Sequence, residues 1–389
     1  MSPVFVLIVF GAGRAKAGLS LTRTVGKLAA VKRLLVISLA GIGDTLMATP
    51  FLHELRLAYP EAEIDALVMW PGARSLLEHN PHLTTLYQHS FIKASKFSSL
   101  AFLYRLRRRR YDVSFNVHPQ GRREYRWIAA AIGAQRRWSH QYENHQPFDD
   151  RLVTDSIAQD YSVHASENNR RFLDGLGIPR QLPRPAYELY LTAVESTWAQ
   201  NWLARTGLGS EPWLGIHVGS GGTKNLSLRR WPLERYRSLV RWLNVQRPGL
   251  PVVFFGGPDE AADHGELFRT LKDVRVHFAE APSLRHAAAL LGQAQAFLSV
   301  DTVFMHLAAA MGVPHQFVIE TPTVNACILP LREDWTLIPN PAVAGRALEF
   351  YRYDGRSIAG TPGEIRALME AVPVEAVGRA VAGVFPKAG

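Results

Sequence analysis

The residues best placed to do chemistry fall in four short loops, each closing an apolar run and opening a helical stretch. The first reads Ser38-Leu39-Ala40-Gly41-Ile42-Gly43-Asp44-Thr45-Leu46. Gly41 and Gly43 let the chain turn tightly and leave room for a ligand at the carboxyl end of a strand. Asp44 then stands at the start of a helix. A carboxylate there serves either as a helix cap or as a general base facing the crevice of an open sheet. The fourth loop runs Leu298-Ser299-Val300-Asp301-Thr302-Val303-Phe304-Met305-His306. Asp301 and Thr302 open a helix directly after a strand, so free backbone N–H groups and the positive helix end suit a diphosphate. His306 lies one turn further on, on the same face as Thr302; a histidine among apolar neighbours is otherwise a packing residue.

The second and third loops supply phosphate and ribose candidates. Ser220-Gly221-Gly222-Thr223-Lys224 follows Ile216-His217-Val218-Gly219 and leads to Arg229-Arg230-Trp231-Pro232. Small residues there admit phosphate close to the backbone, and Lys224 or Arg229 can neutralise it. The Gly-Lys-Ser/Thr ending of a P-loop is absent. Phe254-Phe255-Gly256-Gly257-Pro258-Asp259-Glu260 ends a strand with two acids. Asp259 and Glu260 can hold ribose hydroxyls or simply favour a helix start. Gly11-Ala12-Gly13 also follows an apolar run, Val4–Phe10, but no acidic ribose ligand stands about twenty residues on, where Arg33 is found.

The elements that must position these loops read as a repeated α/β rhythm. Strands are expected at Leu34–Leu39, Glu63–Val68 and Tyr111–Val117, with a helix at Met47–Ala58. A Pro/Gly-rich break lies between about Gly175 and Pro185. Beyond it, strands are expected at Trp213–Val218, Val252–Phe255 and Ala296–Val300, and helices at Trp231–Leu243, Ala287–Leu291 and Met305–Met311. Two doubly wound, Rossmann-like units facing a cleft follow from this. The expected domains are residues 31–185 and 186–389, the second ending in a helical tail, with residues 1–30 a loose extension. Ala15-Lys16-Ala17 mimics a signal cleavage site, but no basic region precedes the short apolar run.

Taken together, the four loops resemble glycosyltransferase family 9, the lipopolysaccharide heptosyltransferases, over about residues 33–330. The matching motifs are Gly41-Ile42-Gly43-Asp44 with Ala48-Thr49-Pro50, Arg230-Trp231-Pro232, Gly256-Gly257-Pro258, and Asp301-Thr302 with Met305-His306-Leu307-Ala308-Ala309-Ala310. The resemblance implies a GT-B fold and an inverting sugar transfer that uses neither metal nor cofactor. It makes Asp44 the base that deprotonates the acceptor hydroxyl, and it assigns the donor diphosphate and sugar to the Ser220–Thr223 loop and the Asp301–Thr302 helix mouth. The donor it implies is a nucleotide sugar, ADP-heptose, and the acceptor a lipopolysaccharide core or similar anionic glycolipid. Three segments depart from the family's pattern. Arg229 stands where a lysine is usual, Val303-Phe304 replaces Gly-Pro, and Ile319-Glu320-Thr321-Pro322-Thr323 replaces a Phe-Gly-Pro-Thr segment. Bulk at Val303 and Phe304 is expected to reshape the sugar pocket. Two alternatives therefore stay open: a relative using another nucleotide sugar for O-antigen or capsule, and a non-catalytic nucleotide- or glycan-binding protein.

Charge and composition narrow the partners. The net charge is +10, and residues 1–190 carry 25 Lys/Arg against 16 Asp/Glu, so the basic excess lies in the first half. Arg105, Arg107, Arg108, Arg109 and Arg110 form a dense run, and Arg122, Arg123, Arg136 and Arg137 follow the third strand as candidate acceptor ligands. Such charge suits an anionic acceptor or peripheral contact with the inner face of the cytoplasmic membrane. Nucleic acid is not expected, because no recognition motif accompanies the charge. No apolar run reaches the roughly 18 residues of a membrane-spanning helix. The single cysteine, Cys327, allows no internal disulfide, which fits a cytoplasmic location, and its apolar neighbours mark it as a core residue.

Overall fold

The computed structural model describes residues 31–209, 211–220, 226–322, 327–343 and 361–386, with the side chain of Leu226 excluded. The expected extension at residues 1–30 lies outside them.

The first half alternates strands and helices: β1 (Arg33–Ser38), α1 (Ile42–Met47), α2 (Thr49–Ala58), β2 (Glu63–Val68), α3 (Pro71–Leu77), β3 (Thr85–Gln88), α4 (Lys96–Arg107), β4 (Val113–Asn116), α5 (Arg123–Ile132), β5 (Arg136–Gln141), β6 (Asp155–Ala158) and α6 (Ala165–Leu176). The second continues with α7 (Ala193–Thr206), β7 (Leu214–His217), α8 (Leu233–Gln246), β8 (Val252–Phe255), α9 (Ala261–Thr270), β9 (Val276–Phe278), α10 (Leu284–Leu291), β10 (Ala296–Ser299), α11 (Val303–Ala310), β11 (His315–Ile319), β12 (Trp335–Ile338), α12 (Pro362–Glu370) and α13 (Val374–Ala382).

All strand pairs are parallel, and the two sheets run β3-β2-β1-β4-β5-β6 and β12-β11-β10-β7-β8-β9. Counted from its own first strand, each sheet has the same order, so each reverses direction once. The reversals fall between β1 and β4 and between β7 and β10. Ligands of open α/β sheets bind at the carboxyl ends of strands at such switch points.

Composition explains the central strands. Leu34, Leu35, Val36 and Ile37 of β1, and Ala296, Phe297 and Leu298 of β10, are buried, as parallel strands covered by helices on both faces must be. The outer strands were harder to foresee: β5 reads Arg-Arg-Trp-Ser-His-Gln, and its first charge is balanced by Asp155 on β6, 2.7 Å from Arg136.

The helix expected over Met47–Ala58 is α2, which starts two residues later, at Thr49, behind the short helix α1. Pro50 has no N–H to donate and stands in the first turn of α2, so the ladder breaks at Ala48 and a second helix starts there.

Contacts across the two halves are both apolar and polar. One apolar cluster joins Leu46, Met47 and Leu76 to Trp202, Leu291, Phe304 and Leu307. Arg285 of α10 donates to the carbonyls of Ser75 (3.1 Å) and Glu78 (3.0 Å) around α3 and to Glu195 (2.9 Å). A second cluster holds α8 and α13 against the second sheet. Cys327 is buried, as expected of a core residue, and burial pushes its thiol up to about 11.

Candidate active site

At the first switch point the chain leaves β1 and turns into α1. The Gly41 N–H donates to Asp44 Oδ2 at 2.6 Å, so Asp44 does cap its own helix; its side chain is nonetheless half-buried rather than enclosed. The loop after β4 braces this turn. Gln120 accepts from the Leu39 N–H (3.2 Å) and donates to the carbonyls of Val117 (2.8 Å) and Ile37, while the Gln120 N–H donates to the Tyr142 hydroxyl (2.8 Å).

Three phenols lie within the field of Asp44. Burial first, and the Asp44 charge after it, raises the pKa of Tyr187, Tyr142 and Tyr125. These groups stay neutral and can only donate or accept hydrogen bonds near the carboxylate.

At the second switch point Asp301 and Thr302 close β10 and open α11. The Thr302 hydroxyl accepts from the N–H groups of Phe304 (3.1 Å) and Met305 (3.4 Å), the usual N-cap arrangement. Asp301 is buried and pairs with the buried Arg229, Nη1 to Oδ2, at 2.6 Å. The bulk of Val303-Phe304, expected to reshape the sugar pocket, is largely taken up by the core. Phe304 is buried, its ring 4.4 Å from His217 and 5.8 Å from Phe255.

His306 links the two crevices. It is buried, and a Cβ built on Gly43 would stand 2.5 Å from its Cδ2. Glycine at position 43 is therefore what lets α1 approach α11. The His306 ring also meets Tyr187, at 5.7 Å between centroids. Burial, with help from the Arg229 charge and against the pull of Asp301, lowers its pKa to about 4. The imidazole is neutral at physiological pH, and its Nδ1 has no hydrogen-bond partner among the described residues. Tyr187, from the segment between α6 and α7, feels both Asp44 and Asp301 and bonds His164 Nε2 at 3.0 Å. Nothing in its local sequence marked it.

The remaining candidates divide. Ser220 is buried, and its carbonyl accepts from Arg230 at 3.2 Å; Gly221, Gly222, Thr223 and Lys224 lie outside the described residues. Glu260 is committed to its surroundings: it accepts from the Gly257 N–H (2.9 Å) and pairs with Arg230 (3.2 Å). A Cβ on Gly219 would collide with its Oε1. Burial opposes ionisation of Glu260, but hydrogen bonds from His217 and Gly257 and the Arg230 charge outweigh it and lower its pKa. Asp259 beside it is exposed.

Arg122 stands just ahead of α5 at the carboxyl edge of the first sheet, and its charge acts on Tyr125 against that of Asp44. Arg123 pairs with Asp149 at 2.8 Å. Arg136 and Arg137 are not brought to this edge, contrary to expectation. They begin β5, in register with Val113 and Ser114 and through them with Leu34 and Leu35. Asp44 follows the other end of β1, so roughly 15 Å of strand separates the two levels. Arg136 pairs with Asp155, and Arg137 donates to the carbonyls of Leu152 (3.0 Å) and Ala134 (2.9 Å).

One group missed in the sequence has the residue types of a metal site. His53 Nδ1 lies 2.6 Å from Glu188 Oε1 and His82 Nε2 3.1 Å from Oε2, with the imidazoles stacked at 4.0 Å. Each contact is also an ordinary hydrogen bond or ion pair, and together they tie α2, the loop before β3 and the segment after α6.

Comparison with known proteins meets this geometry at the level of family. The model of glycosyltransferase family 9 (heptosyltransferase) matches residues 99–316. The chain belongs to that family and is a glycosyltransferase. Lipopolysaccharide heptosyltransferase 3 of Escherichia coli is 24% identical over 285 residues, covering 70% of this chain and 78% of that protein. The fold matches a family 9 glycosyltransferase from Veillonella parvula with a TM-score of 0.71 at 19% identity, over 93% of this chain and 99% of that one. It also matches an E. coli heptosyltransferase solved with ADP-2-deoxy-2-fluoro heptose, at a TM-score of 0.65 and 18% identity, over 91% and 100%. The architecture is thus GT-B, as the loops implied. Among the described residues no helix is long and apolar enough to cross a membrane.

Proposed function

We propose that this glycosyltransferase moves heptose from ADP-heptose onto a sugar hydroxyl of a lipopolysaccharide-core acceptor, with inversion and without a metal. The observation that carries the reading is the meeting of two helix mouths, Asp44 on α1 and Asp301–Thr302 on α11, across Gly43 and His306. The relatives' names supply the sugar and the acceptor class.

Asp44 takes the proton of the acceptor hydroxyl. The resulting oxygen nucleophile attacks the anomeric carbon of the sugar from the face opposite the diphosphate. The carbon–oxygen bond to the diphosphate breaks, and the departing charge is received by the N-terminus of α11 with Arg229 beside it. Holding both substrates in line across the cleft supplies much of the rate. Neutral His306 and Tyr187 line the join without adding charge.

Thermal stabilisation by ADP, UDP and GDP, alone and as sugar conjugates, tests the donor. ADP and ADP-heptose should raise the melting temperature selectively. Transfer should then persist in EDTA, and NMR of the product should show the anomeric configuration inverted. Selective response to UDP- or GDP-sugars would replace the donor, and loss of transfer in EDTA would overturn metal independence.

A further inference from the structure

Helix α4 is apolar on two opposite faces. Phe102 and Leu106 are buried in the cluster against the first sheet, while Phe97, Tyr104 and Leu100 are 85%, 64% and 49% exposed. Spacings of three, four and seven residues put Phe97, Leu100, Ala101 and Tyr104 on one side of the helix, and Arg108 continues that line. Ile92, just ahead of the helix, is 69% exposed. An apolar stripe of this kind on a folded chain marks a contact surface.

The charges around the stripe are of one sign. Lys93, Lys96, Arg105 and Arg108 are exposed, and none has an acidic partner among the described residues. From His79 to Tyr111 the chain carries seven Lys/Arg and no Asp or Glu. Arg109 pairs with Glu63 at 2.5 Å and Asp65 at 3.3 Å, Arg107 donates to the Ala131 carbonyl at 3.1 Å, and the exposed Arg105 rests its guanidinium over the Phe102 ring. Helix α4 follows β3, so its N-terminal end lies at the carboxyl edge of the first sheet, the edge at which Asp44 follows β1.

We propose that this face docks on an anionic bilayer surface. Phe97, Leu100 and Tyr104 enter the boundary between headgroups and acyl chains, and Lys93, Lys96, Arg105 and Arg108 meet the lipid phosphates. Two copies of the chain facing each other here would bring like charges together, which disfavours a self-interface. The inference deepens the acceptor reading above, since a lipid-anchored acceptor is met at such a surface with the Asp44 edge towards it.

Co-sedimentation of the full chain with vesicles of phosphatidylethanolamine and phosphatidylglycerol tests it, with phosphatidylcholine vesicles as the uncharged control. The native chain should bind the anionic vesicles, and raised salt should weaken binding. The double variant Lys96→Gln/Arg108→Gln should bind on the order of thirtyfold more weakly. Phe97→Ser/Tyr104→Ser should lose on the order of tenfold or more on the same vesicles. Stabilisation by ADP and transfer to a delipidated, soluble acceptor should stay at the native level in both variants, which separates lost docking from misfolding. Equal vesicle binding by native and variant chains overturns the proposal, as does a native dimer that Phe97→Ser/Tyr104→Ser converts to monomer in sedimentation velocity. Failure of docking with soluble transfer intact leaves the transferase reading standing; the reverse result overturns that reading alone.

Discussion

Asp44 and Asp301 each follow a strand at the switch point of a six-stranded parallel sheet, and each stands at the mouth of a helix. Their surroundings differ. Asp44 is half-buried, accepts from the backbone N–H of Gly41, and is approached by phenols that its own charge helps keep neutral. Asp301 is buried against the guanidinium of Arg229 at 2.6 Å. A carboxylate paired with a buried cation contributes geometry and charge balance. The half-buried position of Asp44 leaves room for an acceptor hydroxyl to approach, which the proposed base needs. On the proposed reading, the same residue type in the same kind of turn serves two purposes.

The largest expected effect follows from that difference. Asp44→Asn keeps an oxygen for the Gly41 N–H but removes the base. Transfer should fall by roughly a hundred- to ten-thousandfold, while ADP still stabilises the protein as it does the native chain. Activity within tenfold of native would make Asp44 a cap and nothing more. Asp301→Asn should act on stability first: it leaves Arg229 buried without its carboxylate, at about 3–5 kcal/mol, read from urea unfolding. Asp44→Asn should cost less than about 1 kcal/mol in the same experiment, because the cap survives. Equal costs for the two would break the contrast.

The pH dependence of folding sharpens it further. His306 titrates at about 4 when folded and near 6.5 when unfolded. As pH falls below 6.5 the unfolded chain binds the proton first, so stability is lost, until below about 4 the folded state binds it too. Between pH 7 and 5 the native chain should lose about 2 kcal/mol more than His306→Gln from this group. Comparing the two above pH 5 keeps carboxylate titration out of the difference, and parallel curves would mean that His306 is not held neutral by burial.

Much of this was legible in the sequence because it rests on local chemistry. Gly-x-Gly-Asp after an apolar run and Asp-Thr before Val-Phe-Met-His each specify a strand, a turn and a helix mouth within ten residues. The apolar strands β1, β8 and β10 were legible for the same reason. Other features depend on tertiary partners. Arg136 and Arg137 look like free cations until Asp155 and two carbonyls are brought beside them. Phe304 reads as bulk in a pocket until His217 and Phe255 enclose it. Tyr187 reaches the site from an irregular segment with no motif of its own. The cluster of His53, His82 and Glu188 forms from residues far apart in the chain.

The smallest effect tests the join between the two mouths. Gly43→Ala places a methyl 2.5 Å from His306 Cδ2, closer than carbon atoms pack, so the imidazole or helix α1 must move. The cost should be about 1–3 kcal/mol of stability, with a loss of transfer but little change in ADP stabilisation. His306→Ala alone should also destabilise, by leaving a cavity. Together the two substitutions should cost less than the sum of their separate effects, because the space lost at Gly43 is restored at His306. A coupling of at least 0.5 kcal/mol is the mark of residues in contact. Strict additivity would mean that α1 and α11 do not meet there, and Asp44 and Asp301 would then face separate crevices rather than one reaction.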